Sequence, residues 1–173
     1  MNHDSYDDSY IADILASVKT IAVVGASANE VRPSFFVLKY LIGKGYTVFP
    51  INPGHAGKEI AGRMTYARLA DVPEPIDMVD VFRASAAVPG VVDEALALDP
   101  LPKVIWTQLG VRDETAAAKA EAAGIRVVMD RCPKIEFGRL SGEIGWTGVN
   151  SGVLSSRRPV MNAGFQNFGV RPK

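Results

Sequence analysis

The chain has a single cysteine, Cys132, in 173 residues, so no intramolecular disulfide can staple it. Only two histidines, His3 and His55, stand beside that thiol, too few soft ligands for a zinc site. Net charge is absent as well: nineteen basic residues balance nineteen acidic ones. That excludes the sequence-independent electrostatic grip on nucleic acid. No apolar run approaches the ~20 residues of a membrane span. The start, Met1-Asn2-His3-Asp4-Ser5-Tyr6-Asp7-Asp8, is acidic where a secretory leader would be basic. A soluble, cytoplasmic protein without membrane or nucleic-acid partners is expected. What the chain does have is 47% hydrophobic residues, enough for one core, at a length suiting one domain with extensions.

Apolar runs and helical patterns alternate along it. Residues 9–18 carry Ile11, Ile14 and Leu15 at helical spacing. A β-branched run at 20–24 predicts a first strand, and Pro33 opens a helix over 33–44 that Gly43 and Gly45 close. Strands are expected at 46–51, 76–82, 104–108 and 125–129. Helices are expected at 65–69, 86–98, 113–123 and 133–140. This alternation implies crossover connections and a parallel sheet. The fold class is therefore α/β: a Rossmann-like doubly wound sheet of five mainly parallel strands flanked by helices, over residues 18–140. Residues 1–17 form an amino-terminal helix or extension. Residues 141–173 form a Gly/Ser/Asn-rich carboxyl-terminal arm. Trp146, Phe165 and Phe168 in that arm suggest packing on its own domain or on a partner, with plain disorder as the alternative.

In such sheets ligands bind outside the carboxyl ends of the strands, near the switch in strand order. The first strand ends in Val24-Gly25-Ala26-Ser27-Ala28, small residues that let backbone N–H groups approach an anion. No second or third glycine follows, so this is not the dinucleotide fingerprint. An NAD site would also place an acid at the end of the second strand, where the chain reads Pro50-Ile51-Asn52-Pro53. An NADP site would place an arginine there, and none occurs before Arg63. Arg32 and Arg83 are the candidate phosphate partners, since guanidinium forks match phosphate oxygens. Phe82 is either core or ligand wall, and Gln108 can both donate and accept.

Six motifs occur in order: Val23-Val24-Gly25-Ala26-Ser27, Arg32-Pro33-Ser34, Pro50-Ile51-Asn52-Pro53, Ile76 through Arg83, Trp106 through Val111, and Met129 through Glu136. Over residues 18–140 the chain resembles the small stand-alone CoA-binding proteins of bacteria and archaea. Those are similar to the amino-terminal domain of the succinyl-CoA synthetase α subunit. The resemblance implies coenzyme A lying across the carboxyl edge of the sheet. Gly25, Ala26, Ser27, Ala28, Arg32, Pro33 and Ser34 would then face phosphate, and Asn52 and Pro53 the adenosine side. Phe82, Arg83, Gln108, Gly110 and Val111 would line the rest. The synthetase's second domain, with its phosphorylated histidine, has no counterpart here.

The reading is binding of CoA or an acyl-CoA without catalysis of its own. Its alternatives are a small NADP-dependent reductase and a CoA-binding subunit completing an acyl-CoA synthetase with a separate chain. Asp77 and Asp80, three apart on a strand, face opposite sides and cannot share an acid–base site. Cys132 is either a buried structural thiol or one that pairs with the CoA thiol. His55 is expected in a solvated turn, and His3 in a mobile terminus. A homodimer or a partner subunit held through the carboxyl-terminal arm remains open.

Overall fold

The computed structural model describes residues 1–142; the arm beyond, with Trp146, Phe165 and Phe168, lies outside them. Five parallel strands form the sheet: β1 (Thr20–Val24), β2 (Thr47–Ile51), β5 (Met78–Val81), β6 (Val104–Thr107) and β7 (Arg126–Val128). Their order is β2-β1-β5-β6-β7, and every neighbouring pair is parallel. A separate antiparallel hairpin joins β3 (Glu59–Ile60) to β4 (Arg63–Met64). Helices α1 (Asp8–Ser17), α2 (Pro33–Gly43), α3 (Val88–Leu96), α4 (Glu114–Ala122) and α5 (Pro133–Ser141) complete the chain.

Alternation along each strand sends side chains to two cores. Ile21, Val23, Met78 and Trp106 pack with α1, α2 and α5 on one face. Ala22, Val79, Val81 and Ile105 pack with α3 and α4 on the other. Burial on both faces is why these strands read as continuous Val/Ile runs. The helix after β1 covers one face and the helix after β5 covers the other. The switch in strand order therefore falls between β1 and β5.

Two expectations are corrected. No helix spans 65–69: Thr65 N–H donates to the Lys58 carbonyl (2.9 Å) and Tyr66 N–H to the Pro50 carbonyl (2.9 Å). A parallel bridge pairs Tyr66 with Ile51, and only a short 3₁₀ turn, Leu69–Asp71, follows. Ala61 (φ 50°) and Gly62 (φ 73°) make the tight hairpin turn that commits this stretch to extended chain. His3 is not in a loose end either; it is 3% exposed. Its Nδ1 lies 2.8 Å from the Tyr6 hydroxyl, which accepts from Met129 N–H at 2.7 Å.

The amino edge is clamped by Asp77. Its carboxylate accepts from the Lys19 N–H (2.7 Å) and Thr20 N–H (3.3 Å), and pairs with Lys103 at 2.7 Å. Burial alone would raise its pKa, but these partners outweigh burial and hold it below the ordinary carboxylate value. An acid with a lowered native pKa stabilises the fold above its unfolded pKa and loses that effect as pH falls through the native one. Asp77→Asn is expected to cost about 1–2 kcal/mol at pH 7. The difference from wild type should vanish in strong acid, as read by urea unfolding at pH 7, 4 and 2.5.

Candidate functional site

Gly25 turns the chain at the end of β1 with φ 86°, a conformation that side chains other than glycine's seldom adopt. Its N–H donates to the Ile51 carbonyl (3.0 Å), and Val24's carbonyl accepts from Phe82 N–H (2.8 Å). A Cβ added at Gly25 would stand 2.5 Å from the Phe82 carbonyl oxygen and 2.9 Å from Arg83 Cδ. The loop after β5 thus lies directly on the turn after β1. That close approach sets the Arg83 stem over the glycine.

The residues after Gly25 form a cradle. N–H groups of Ala26, Ser27 and Ala28 find no acceptor among the described residues. Beyond them the loop satisfies itself: Asn29 N–H donates to Ser27 Oγ and Val31 N–H to Asn29 Oδ1, both at 3.1 Å. Asn52 locks the loop from β2, its Nδ2 donating to the Ala26 carbonyl (2.7 Å) while its Oδ1 accepts from Gly54 N–H. The place where an NAD site keeps its acid is therefore held by a structural amide. Arg32 and Arg83 are exposed, and neither guanidinium has an ion-pair partner among the described residues. Free N–H groups and two unpaired guanidinia at one sheet edge fit an anionic, phosphate-bearing ligand.

Next to the cradle, with Arg83 on its wall, a groove of about 650 Å³ lies over the ends of β5, β6 and β7, a volume typical of small-molecule sites; residues 25–28, Arg32, Asn52 and Pro53 do not line it. Of the sequence-predicted residues it brings together Pro33, Phe82, Arg83, Gln108 and Val111. Ala26 and Ser34 are buried, backbone included, so the N–H groups of the turn that stand open are those of Ser27 and Ala28. Gly110 is exposed, with its N–H taken by Asp130 (2.7 Å). Sequence reasoning missed Phe36, Leu109 and Ile135, large apolar side chains that stay 44–59% exposed along the groove. Phe36 has a retrievable signal, because it lies one turn into the helix that Pro33 opens. Phe82 serves both roles considered for it: it packs on the core and lines the groove.

Cys132 also lines the groove, 7% exposed, at the amino-terminal cap of α5. Burial pushes its thiol pKa up and the nearby Asp80 carboxyl adds to this, against the pull of the Ile135 and Lys134 amides. The helix-start activation weighed for a reactive thiolate is thereby overridden. Asp77 and Asp80 sit at opposite ends of β5, with Asp80 turned to the α2/α5 side. Asp80 is wholly buried between Val23 and Trp106, its register neighbours. Its Oδ1 accepts from Gln108 Nε2 (2.7 Å) and its Oδ2 has no partner. Burial drives its pKa up to about 7, opposed only by the Gln108 hydrogen bond. Among the described residues no group of three or more His, Cys, Asp or Glu could hold a metal ion.

Fold and edge together define a parallel α/β protein with an open groove beside its strand-order switch. Residues 19–138 match the family model described as CoA binding domain. The Bacillus subtilis protein called Uncharacterized protein YneT is 38% identical over 125 residues, covering 72% of this chain and 90% of that protein. The α subunit of the Pyrococcus furiosus ADP-forming acetate–CoA ligase I is 31% identical over 86 residues; the match covers 47% of this chain but only 19% of the subunit. A Thermus thermophilus structure, cell-free ID.343, is 40% identical with a TM-score of 0.71, covering 76% of this chain and 96% of that one. The PH1109 protein redesigned for binding is 37% identical with a TM-score of 0.76, covering 82% and 96%. The chain belongs to the CoA binding domain family, and it is related to subunits of acyl-CoA-forming ligases.

Two outcomes are expected from this geometry. Gly25→Ala forces a side chain into positive φ and onto the Phe82 carbonyl. It should cost about 2 kcal/mol or more in chemical unfolding. Asp80 carries the opposite pH sign from Asp77. Between its ordinary pKa, near 4, and about 7 the folded chain keeps a proton that the unfolded chain has released. Wild type should therefore lose stability as pH rises through that window. Asp80→Asn should gain on wild type from pH 4 to pH 8, by on the order of 2–4 kcal/mol in urea unfolding.

Proposed function

We propose that this chain binds coenzyme A or an acyl-CoA in the groove, as a cytoplasmic binding protein without catalysis of its own. The observation that carries the reading is the pair of open N–H groups of Ser27 and Ala28 beside unpaired Arg32 and Arg83, where the chain has no acid for a ribose diol. Phosphates would lie between the cradle, with Gly25 at its base, and the two guanidinia. Asn52 and Pro53 would border the adenosine side. Pro33, Phe82, Gln108, Gly110 and Val111 would line the path of the pantetheine arm, whose methyl-bearing, amide-linked chain suits a mixed apolar and polar wall. Among the described edge residues no nucleophile stands next to a base, and the one buried thiol is held protonated.

A second reading has its own support in the ligase subunits. The chain spans about a fifth of the length of those proteins. It would then deliver bound CoA to a separate nucleotide-grasping chain. Co-purification with such a chain from its native host would favour this version, and recovery of the protein alone would count against it.

Calorimetric titration with CoA, 3′-dephospho-CoA, NAD and NADP tests the main reading. CoA should bind, dephospho-CoA more weakly, and the nicotinamide dinucleotides not measurably. Binding of NADP without CoA would overturn it. Arg32→Ala and Arg83→Ala should each lower CoA affinity about tenfold, roughly one charge-assisted contact.

A further inference from the structure

Gln108 directly follows β6 and lines the groove, yet one side of its amide is already committed. Its Nε2 donates to Asp80 Oδ1 at 2.7 Å, while Oε1 has no partner among the described residues. Nor is Oε1 among the fully enclosed side-chain atoms that lack a partner, so it keeps access to the groove that Gln108 lines. An amide can present either of its ends, and a neighbour decides which. Asp80 is that neighbour. It is wholly buried between two apolar strand neighbours, and as a carboxylate it can only accept, so its Oδ1 takes the Gln108 NH₂.

We propose that Asp80 is a positioning residue which turns the Gln108 amide so that its oxygen faces the groove, making the floor an acceptor for a hydrogen-bond donor on the ligand's arm. This rests on the reading of the groove as a CoA site. The arm of CoA has four such donors: the pantoyl hydroxyl, two amide N–H groups and the terminal S–H. A buried carboxyl held at the cost of an unpartnered Oδ2 is hard to account for as packing alone, since Val at this point would continue the strand. It is accounted for if the orientation of Gln108 is what it supplies.

Asparagine at position 80 reverses the logic. Its Nδ2 is best satisfied by donating to Gln108 Oε1, because a buried unpaired N–H is costlier than an unpaired carbonyl. The Gln108 NH₂ would then face the groove and oppose the ligand's donor. Gln108→Met removes the acceptor at nearly constant volume.

The test is titration at pH 8.5, where Asp80 is a carboxylate, of wild type, Asp80→Asn and Gln108→Met with CoA, acetyl-CoA and adenosine 3′,5′-bisphosphate, which is the head group without the arm. Both variants should bind CoA about tenfold more weakly than wild type, and the bisphosphate within twofold of it. The double variant should be no weaker than either single one. If the thiol is the donor, the loss is confined to CoA and spares acetyl-CoA. If an amide or the hydroxyl is the donor, both lose equally. Unchanged CoA affinity in both variants overturns the inference, and so does an equal loss for CoA and the bisphosphate, which would mark a structural effect. Wild type failing to bind CoA at all would instead overturn the reading of the groove, and this inference with it.

Discussion

Everything at the carboxyl edge depends on the contact between the turn after β1 and the backbone after β5. At Gly25 the two strands are close enough that one added carbon would collide with the Phe82 carbonyl. Parallel strands in this order diverge at that point, because α2 leaves toward one face and α3 toward the other. Without the glycine the crevice would be filled by a side chain. With it, the crevice stays open above while the backbone below is tightly tied, Gly25 to Ile51 and Phe82 to Val24. The same contact aims Arg83 across the loop. An anion cradle and its countercharge therefore come from one local constraint.

The remainder of the edge is built to keep that crevice shaped. Asn52 spans from β2 to the Ala26 carbonyl, and the Thr107 hydroxyl donates to the Val111 carbonyl at 2.6 Å. Trp106 Nε1 donates to the Arg131 carbonyl at 2.7 Å. The loops after β1, β6 and β7 are thus each pinned by a side chain. These are short bonds between backbone and side chain in buried or half-buried places, where loss of one partner leaves the other unsatisfied. Loops fixed in this way behave as part of the scaffold, and Leu109 on the loop after β6 stands with Phe36 of α2 and Ile135 of α5 as an exposed apolar rim.

The sheet was legible because its strands are buried on both faces, so apolar runs and helical periods alternate with little noise. The edge loops were legible too, because the strand-switch rule depends on topology and not on side-chain detail. Residues 65–69 were not legible, because Thr65 and Tyr66 bond to the distant Lys58 and Pro50, and spacing within a short window does not report such contacts. His3 escaped for a similar reason: its partners are Tyr6, three residues on, and Glu121, across the whole fold. Phe36, Leu109 and Ile135 carry no polar signature, so only their placement around a common groove distinguishes them from core residues. Asp80 is the instructive case. Its separation from Asp77 argued correctly against a paired acid, but the residue that matters to it is Gln108, one strand over and 28 positions away.

That pair also explains how one groove can be polar at one end and selective at the other. Phosphate recognition by free amides and guanidinia is strong but undiscriminating, since many nucleotides carry phosphates. Discrimination has to come from the far end, where the wall is apolar and the polar atoms are few. A lone amide facing such a wall would be free to rotate and would accept donors and acceptors alike. Tied from behind by a buried carboxyl, it presents one atom of fixed character. A site of this kind rejects a mismatched group because the buried amide oxygen would be left without a donor, a penalty of about 1–3 kcal/mol. The energetic cost of burying Asp80 is borne by the fold, and under the proposed role of Gln108 its benefit would be realised only with a ligand arm in the groove.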